Sequence, residues 1–338
     1  MLKGILKQWE IQIIQTIKSI LALFSHNYFF KKEEWNYYQT YSDEDLQNPL
    51  GPCLIAMFDG RQIHCGLTDR FKGIATTYEF SKDFGLPFYL YYKSPFDITD
   101  YLVPNQIDWR VKDEDVLYNK NTSVPVFLNN WQSNTSFHKI YLKQVLKRHP
   151  GKQIHVYGDS PYYINKYVDD FYFLFKTSEY LQLAIDKCIR EVGQKGYAAM
   201  SFRFLMLLGD FKEEHSFYPT LDAKGQKELM ERCERQVLKV REEKQINGRI
   251  LITADSKKFV DYMSSRHDFV YVVPGEIAHI DNKHDSTKEI YLKTFLDMFM
   301  LSNADTIYQL CTGDMYKNSA FARQAAMLGK KEYIKITF

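Results

Sequence analysis

Cysteine is scarce and unpatterned in this chain. The five present, Cys53, Cys65, Cys188, Cys233 and Cys311, never fall into a C-x-x-C pair. A zinc ribbon and a disulfide framework are therefore not indicated, and a reducing cytoplasm is the expected compartment. A surplus of either charge is also missing: 44 Lys and Arg face 42 Asp and Glu, for a net charge of +2. With no global field to attract it, nucleic acid is not expected as a partner. Long uniform apolar runs are absent as well. Glu10, Gln12, Gln15 and Lys18 interrupt the most apolar N-terminal stretch, which speaks against a membrane span. No clean apolar core followed by a small-residue cleavage site suggests a signal peptide. G-x-G-x-x-G after a strand and G-x-x-x-x-G-K-[ST] are missing, which disfavours dinucleotide oxidoreductases and P-loop NTPases. H-E-x-x-H, G-x-S-x-G and the kinase signatures are missing too.

What the chain does have in quantity is aromatic side chains, 25 Tyr and 24 Phe in 338 residues. So many amphipathic rings suit grooves for polar ligands with apolar faces, such as sugars, though drift in composition would give the same count. The length exceeds the roughly 250–300 residues at which one core stops growing, so two domains are expected.

Leu2, Leu6, Trp9, Ile13, Ile17, Ile20 and Phe24 recur at helical spacing and mark an amphipathic N-terminal helix. It could pack on the body, pair with a second copy, or be held by Lys3, Lys7, Lys18, Lys31 and Lys32 against an anionic membrane, peripherally on its inner face. Beyond it, short apolar runs alternate with helical stretches. Strands are expected at Cys53–Phe58, Phe88–Tyr91, Val124–Leu128 and Gln153–Tyr157, with helices at Asp69–Phe84 and near Phe137–Arg148. After a helix at Leu181–Val192, strands are expected at Tyr197–Phe204, Arg249–Thr253, Phe269–Val273, Thr306–Gln309 and Tyr333–Thr337. The intervening helices are Lys224–Glu243, Lys257–Ser265, Lys288–Leu301 and Lys317–Leu328. This alternation predicts an α/β protein of two facing Rossmann-like domains with parallel sheets, at residues 49–190 and 191–338, behind a helix and linker at 1–48. Ligands of such sheets lie beyond the carboxyl ends of the strands.

Asp43-Glu44-Asp45 and Asp113-Glu114-Asp115 fit the D-x-D that holds a divalent cation and a nucleotide diphosphate in some sugar transferases. Neither follows a strand, so both read as solvated turns and no metal site is expected. The strand ends of the second domain are more informative. Arg203, within Ser201-Phe202-Arg203 and before Gly209-Asp210, would point a forked set of donors into the cleft, suited to a diphosphate. Thr253-Ala254-Asp255-Ser256 lies at another strand end. Thr312-Gly313-Asp314 precedes Lys317-Asn318-Ser319-Ala320-Phe321-Ala322, a helix start whose free N–H groups favour phosphate.

In this order the motifs resemble the fucosyltransferase superfamily of GT-B fold, which includes α1,2-, α1,6- and protein O-fucosyltransferases and the nodulation enzymes. The family's H-x-R is matched only at Arg203, with Ser201 where the family has His. Thr253-Ala254-Asp255-Ser256 matches its acidic, hydroxyl-bearing loop, and Ser319-Ala320-Phe321-Ala322 its small-residue helix start. His64-Cys65-Gly66-Leu67-Thr68-Asp69-Arg70 is similar to its glycine-leucine turn into the first helix. The resemblance covers residues 53–335 in pieces. It implies a GT-B-like fold and a metal-independent, inverting transfer of fucose from GDP-fucose to a surface glycan, with no cofactor. It implies that Arg203, Ser319, Ala320 and Phe321 hold the donor's β-phosphate, and that Thr253, Asp255 and Ser256 hold the nucleoside end. His64, Gly66, Asp69 and Arg70 would line the acceptor side, and Asp210 is the nearest candidate base. A catalytically silent nucleotide-sugar or glycan binder on the same scaffold, or a transferase using another donor sugar, are the alternative readings. The plain structural alternatives are an ion pair for Arg203, a turn for Asp210, a loop role for His64 and a helix cap for Asp69.

Overall fold

Runs of consecutive apolar residues too short to be helices form the parallel strands buried on both faces. In the computed structural model, residues 37–38, 47–62, 64–128, 138–159, 164–193, 195–211, 219–278, 280, 288–313 and 315–338 are described. The amphipathic N-terminal segment, Asp43-Glu44-Asp45, Tyr162, Tyr163 and Asp314 lie outside them. The chain divides into two compact units, residues 1–94 with 104–176, and residues 95–103 with 177–338. Sequence reading put the join near residue 190. The division falls at 176/177, because the helix Glu179–Val192 packs on the later helix Glu289–Asn303.

In the first unit, β1 (Cys53–Phe58) leads to α1 (Leu67–Phe84) and β2 (Phe88–Tyr92). After β3 (Leu102–Pro104) come β4 (Ser123–Leu128), α2 (His138–Arg148), β5 (Gln153–Gly158), α3 (Tyr167–Leu174) and β6 (Phe175–Thr177), with β3 and β6 straddling the division between the units. The four-stranded sheet has the order β2-β1-β5-β4, and all its pairs are parallel. α1 lies close against the end of β5. A Cβ at Gly73 would stand 1.9 Å from the carbonyl oxygen of Gly158, so only glycine allows the approach. By sequence, the aromatic run Tyr162, Tyr163, Tyr167, Phe171, Tyr172, Phe173 and Phe175 could form a sugar-facing platform or inter-domain core. Tyr167, Phe171 and Phe175 are buried, the two Phe rings meeting Phe71 of α1, whereas Tyr172 and Phe173 are exposed. Asp113-Glu114-Asp115 forms a short, mostly exposed 3-10 turn.

In the second unit the order is α4 (Glu179–Val192), β7 (Ala198–Ser201), α5 (Ala223–Glu243), β8 (Ile250–Thr253) and α6 (Lys257–Arg266). β9 (Val270–Tyr271), α7 (Glu289–Asn303), β10 (Thr306–Cys311), α8 (Phe321–Gly329) and β11 (Glu332–Thr337) follow. All pairs in the sheet β11-β10-β7-β8-β9 are parallel. From β7 the chain steps outward through β8 to β9, then returns to β10 on the other side. The order therefore reverses between β7 and β10, where ligands bind in sheets of this kind. Each unit thus has the Rossmann-like topology expected, with parallel strands and helical crossovers.

Two boundaries differ from the sequence reading in a way that matters. β7 stops at Ser201 rather than Phe204, because the amides of Phe204 and Leu205 are captured by the Asp255 carboxylate instead of a neighbouring strand. α8 begins at Phe321 rather than Lys317, since the chain after β10 first makes a turn that ties Tyr316 to Arg203. Among the described residues, no helix is long and apolar enough to cross a membrane.

Candidate active site

Three strand ends of the second unit supply the residues that sequence reading singled out. The segment after β7 makes a turn closed by the Leu207 amide on the Phe204 carbonyl at 3.2 Å. Its first central residue, Leu205, has φ 54°, a left-handed conformation that favours glycine. The conformation is held from outside. Asp255, just past β8 and 7% exposed, accepts from the Phe204 amide through Oδ1 and from the Leu205 amide through Oδ2, both at 2.7 Å. Its Oδ2 also lies 3.3 Å from Nη1 of Arg203. Burial pushes the Asp255 carboxyl up from its ordinary value, while Arg203 and the two amides pull it back in part.

Arg203 is partly exposed, with its guanidinium 5.0 Å above the ring of Phe211. Its carbonyl accepts the Tyr316 amide at 3.1 Å, which joins the loop after β10 to the loop after β7. Ser256 caps α6, its Oγ accepting the Phe259 amide at 3.2 Å and donating to Asp210 Oδ2 at 2.9 Å. Asp210 Oδ2 also accepts the Lys258 amide at 2.7 Å. The first turn of α6 is therefore occupied by protein acceptors, and Asp210 stays exposed beside it. Lys258, not singled out from sequence, donates through Nζ to the Leu208 carbonyl at 2.8 Å and to Gln226 Oε1 at 2.7 Å, pinning the same turn. Thr253 is 3% exposed and its Oγ1 has no hydrogen-bond partner.

Ser319, Ala320 and Phe321 are half-buried at the entry to α8. Ala320 is the N-cap residue and supplies no side-chain cap, in contrast to the occupied start of α6. A helix start without a side-chain cap, at the positive end of the helix dipole, suits an anion. Arg203 is thus paired with Asp255, and Asp210 with Ser256, at neighbouring strand ends where Thr253 is buried, and the Tyr316 amide links Arg203 to the loop carrying Ser319, Ala320 and Phe321. Both Asp255 oxygens are already engaged by the Leu205 turn. No group of three or more His, Cys, Asp or Glu side chains among the described residues forms a metal-ligand cluster.

In the first unit the expected acceptor residues separate. His64 is buried, and its Nε2 accepts the Gly60 amide at 3.1 Å. Gly66 is the N-cap of α1, and Asp69 pairs with Lys72 in its first turn. Arg70 is 2% exposed and donates to the carbonyls of Cys65 at 2.7 Å and Ser94 at 2.6 Å and to Tyr92 Oη at 3.0 Å, a clamp between the ends of β1 and β2. The residue that sequence reading missed is Asp59, immediately past β1. Its carboxylate accepts from Tyr157 Oη at 2.7 Å and Tyr118 Oη at 2.9 Å, with His64 Nε2 3.8 Å away. Burial would raise its carboxyl, but the neighbouring His64 and hydrogen bonds from the Arg61 amide, Tyr157 and Tyr118 outweigh this and hold it below the ordinary value. Arg61 stacks between Tyr37, with the ring centroid 3.3 Å away, and Tyr118 at 4.1 Å. An acidic residue directly after the first buried strand was the available signal.

No family model matches the chain, and no curated protein matches it by sequence. Solved structures do match. The fucosyltransferase NodZ from Bradyrhizobium is 14% identical with a TM-score of 0.50, covering 82% of this chain and 93% of its own. NodZ α-1,6-fucosyltransferase co-crystallised with GDP gives the same TM-score and identity, covering 92% of that chain. A mutant of Arabidopsis thaliana FUT1 in complex with GDP is 11% identical with a TM-score of 0.51, covering 99% of this chain and 78% of its own. The GT-B-like expectation is met at the level these similarities carry: the chain shares its fold with fucosyltransferases.

Proposed function

We propose that this protein is a glycosyltransferase that moves fucose from GDP-fucose to a glycan acceptor, inverting the anomeric centre without a metal ion. The observation that carries the reading is the tie of Arg203, through the Tyr316 amide, to the loop that leads into the start of α8, at the order reversal between β7 and β10. Support also comes from the shared fold with NodZ, whose structures include one co-crystallised with GDP and one soaked with GDP-fucose.

In this reading the donor's diphosphate lies between the Arg203 guanidinium and the first amides of α8 near Ser319, Ala320 and Phe321. Glycosyl transfer passes through an oxocarbenium-like state, and negative charge grows on the departing β-phosphate as the bond breaks. Fixed donors aimed at that oxygen stabilise the charge more in the transition state than in the ground state. Arg203 and the helix start need no reorganisation to do this. Asp210, exposed and fixed through Oδ2, has its second oxygen to take the proton of an acceptor hydroxyl.

Calorimetric titration with GDP and with UDP tests the proposal. GDP binding that Arg203→Ala weakens at least about tenfold, or about 1.5 kcal/mol, is expected for a hydrogen bond to a charged group. Absence of binding to any nucleoside diphosphate refutes the transferase reading. Slow hydrolysis of the donor, lost in the same variant, distinguishes a transferase from a silent binder.

A further inference from the structure

We infer that Asp255 is a positioning residue for the phosphate end of the donor site, acting through Arg203 and the Leu205 turn rather than by touching the nucleoside. The inference rests on the donor reading above and departs from the nucleoside role implied by resemblance.

Four observations carry it. First, the carboxylate is 7% exposed, and both oxygens already serve the turn after β7, taking the Phe204 and Leu205 amides at 2.7 Å each. Little of the carboxylate is therefore left exposed for a ligand to reach. Second, the turn contains Leu205 at φ 54°, a strained conformation for a side chain with a Cβ, which persists only where neighbours impose it. Asp255 holds the peptide that enters it, taking the amides on both sides of Phe204, while the Leu207 amide closes the turn on the Phe204 carbonyl. Third, the same Oδ2 faces Arg203 Nη1 at 3.3 Å, so one carboxylate sets both the backbone path and the direction of the guanidinium. Fourth, the turn is anchored at its far end by Lys258 on the Leu208 carbonyl at 2.8 Å, whereas the Phe204 and Leu205 amides at its near end are both taken by Asp255. Two backbone amides and one guanidinium thus share the carboxylate, all three from the segment after β7. Preorganisation of this kind keeps Arg203 aimed before the donor arrives, as an electrostatic site requires.

The test uses the full chain and compares GDP with GMP, which lacks the β-phosphate, by calorimetry on Arg203→Ala, Asp255→Asn and the double variant. In Asp255→Asn the amide NH2 meets one of the two backbone N–H groups, and the charge beside Arg203 is gone. GDP affinity is expected to fall about tenfold while GMP affinity stays within about twofold. In the Arg203→Ala background Asp255→Asn should cost less than about twofold more, because both act on one contact. Additive losses, or equal losses of GMP and GDP, overturn the inference and point to a nucleoside contact. A second arm adds Leu205→Gly to Asp255→Asn. Glycine adopts positive φ unaided, so this variant should recover about tenfold in GDP affinity, or recover folding if Asp255→Asn alone does not fold. No recovery in this arm also overturns the inference. If the unmodified chain binds no diphosphate at all, the donor reading itself has failed, which is a separate outcome.

Discussion

Replacing Gly73 with alanine sets two known effects against each other in the first unit. Gly73 is buried on α1, in the helix interior, where alanine is favoured over glycine by about 1 kcal/mol from intrinsic propensity. Against this, the new Cβ would lie 1.9 Å from the Gly158 oxygen, 2.6 Å from its carbonyl carbon and 3.2 Å from the Asp159 nitrogen. These are backbone atoms at the end of β5, so no side chain can swing away. Relief requires moving α1 outward by more than about 1 Å, which opens the packing of Phe71 and Ile74 beneath it. Overpacking costs about 1–3 kcal/mol, and a clash with backbone belongs at the upper end of that range. The steric effect wins, and Gly73→Ala should destabilise the first unit by about 2 kcal/mol.

The assay follows from the sequence. Residues 95–103 and 177–338 contain no tryptophan, and Trp109 is buried in the first unit with its indole N–H on the Leu174 carbonyl, so tryptophan fluorescence follows that unit. Urea titration should show a lower midpoint with an unchanged slope. A variant as stable as the parent, or more stable, would refute the close approach of α1 to β5, because propensity would then be acting unopposed.

Two further changes test the packing around each site. Arg70→Met removes a buried guanidinium from two carbonyls and a phenol, leaving acceptors unmatched; the first unit should lose about 2–3 kcal/mol by the same fluorescence assay, and an unchanged midpoint would refute the clamp. In the second unit, Glu234 accepts from Tyr262 Oη, Arg266 Nε and His267 Nε2. Burial alone would raise its carboxyl, but these partners hold it at about 2, below its ordinary 4.5. A lowered carboxyl contributes stability that is complete above the ordinary value and lost as pH falls toward the folded one. The melting temperature followed by circular dichroism should therefore drop between about pH 4.5 and 2, and Glu234→Gln should flatten that drop. An equally steep fall in the variant would show that other groups control it.

The sheets were largely legible, because six-residue apolar runs such as Cys53–Phe58 and helical periodicity in Lys224–Glu243 leave few alternatives. The strand-end rule also found Arg203 and Asp255, which the structure brings into contact. It failed where a side chain competes for backbone: Phe202–Phe204 reads as strand, and nothing local announces that a carboxylate 50 residues later takes its amides. The same rule applied to β1 points to Asp59, whose partners Tyr118 and Tyr157 come from distant segments and carry no sequence signal of their own. Arg70 shows the opposite error. An arginine in the first turn of a helix looks ligand-facing, yet tertiary packing turns it inward onto carbonyls. Among the described residues, part of the aromatic surplus is spent inside in the same way, on buried tyrosines with hydrogen-bonded hydroxyls such as Tyr157 and Tyr197 and on stacks such as Tyr101 with Phe295.

Residues 95–103 belong to the second unit although the first unit continues to residue 176. Phe96 and Tyr101 from that segment pack on Tyr291 and Phe295 of α7. On the ribosome, the first unit has all its residues once Lys176 has emerged, while α7 is complete only at Asn303. At about 5–20 residues per second, those rings wait roughly 6–25 s for their partner. During that interval a loop inside an otherwise finished unit displays Phe96, Ile98 and Tyr101 to solvent. A fragment ending at residue 176 would display them permanently, so expressing the first unit alone should give an aggregating protein unless this loop is replaced.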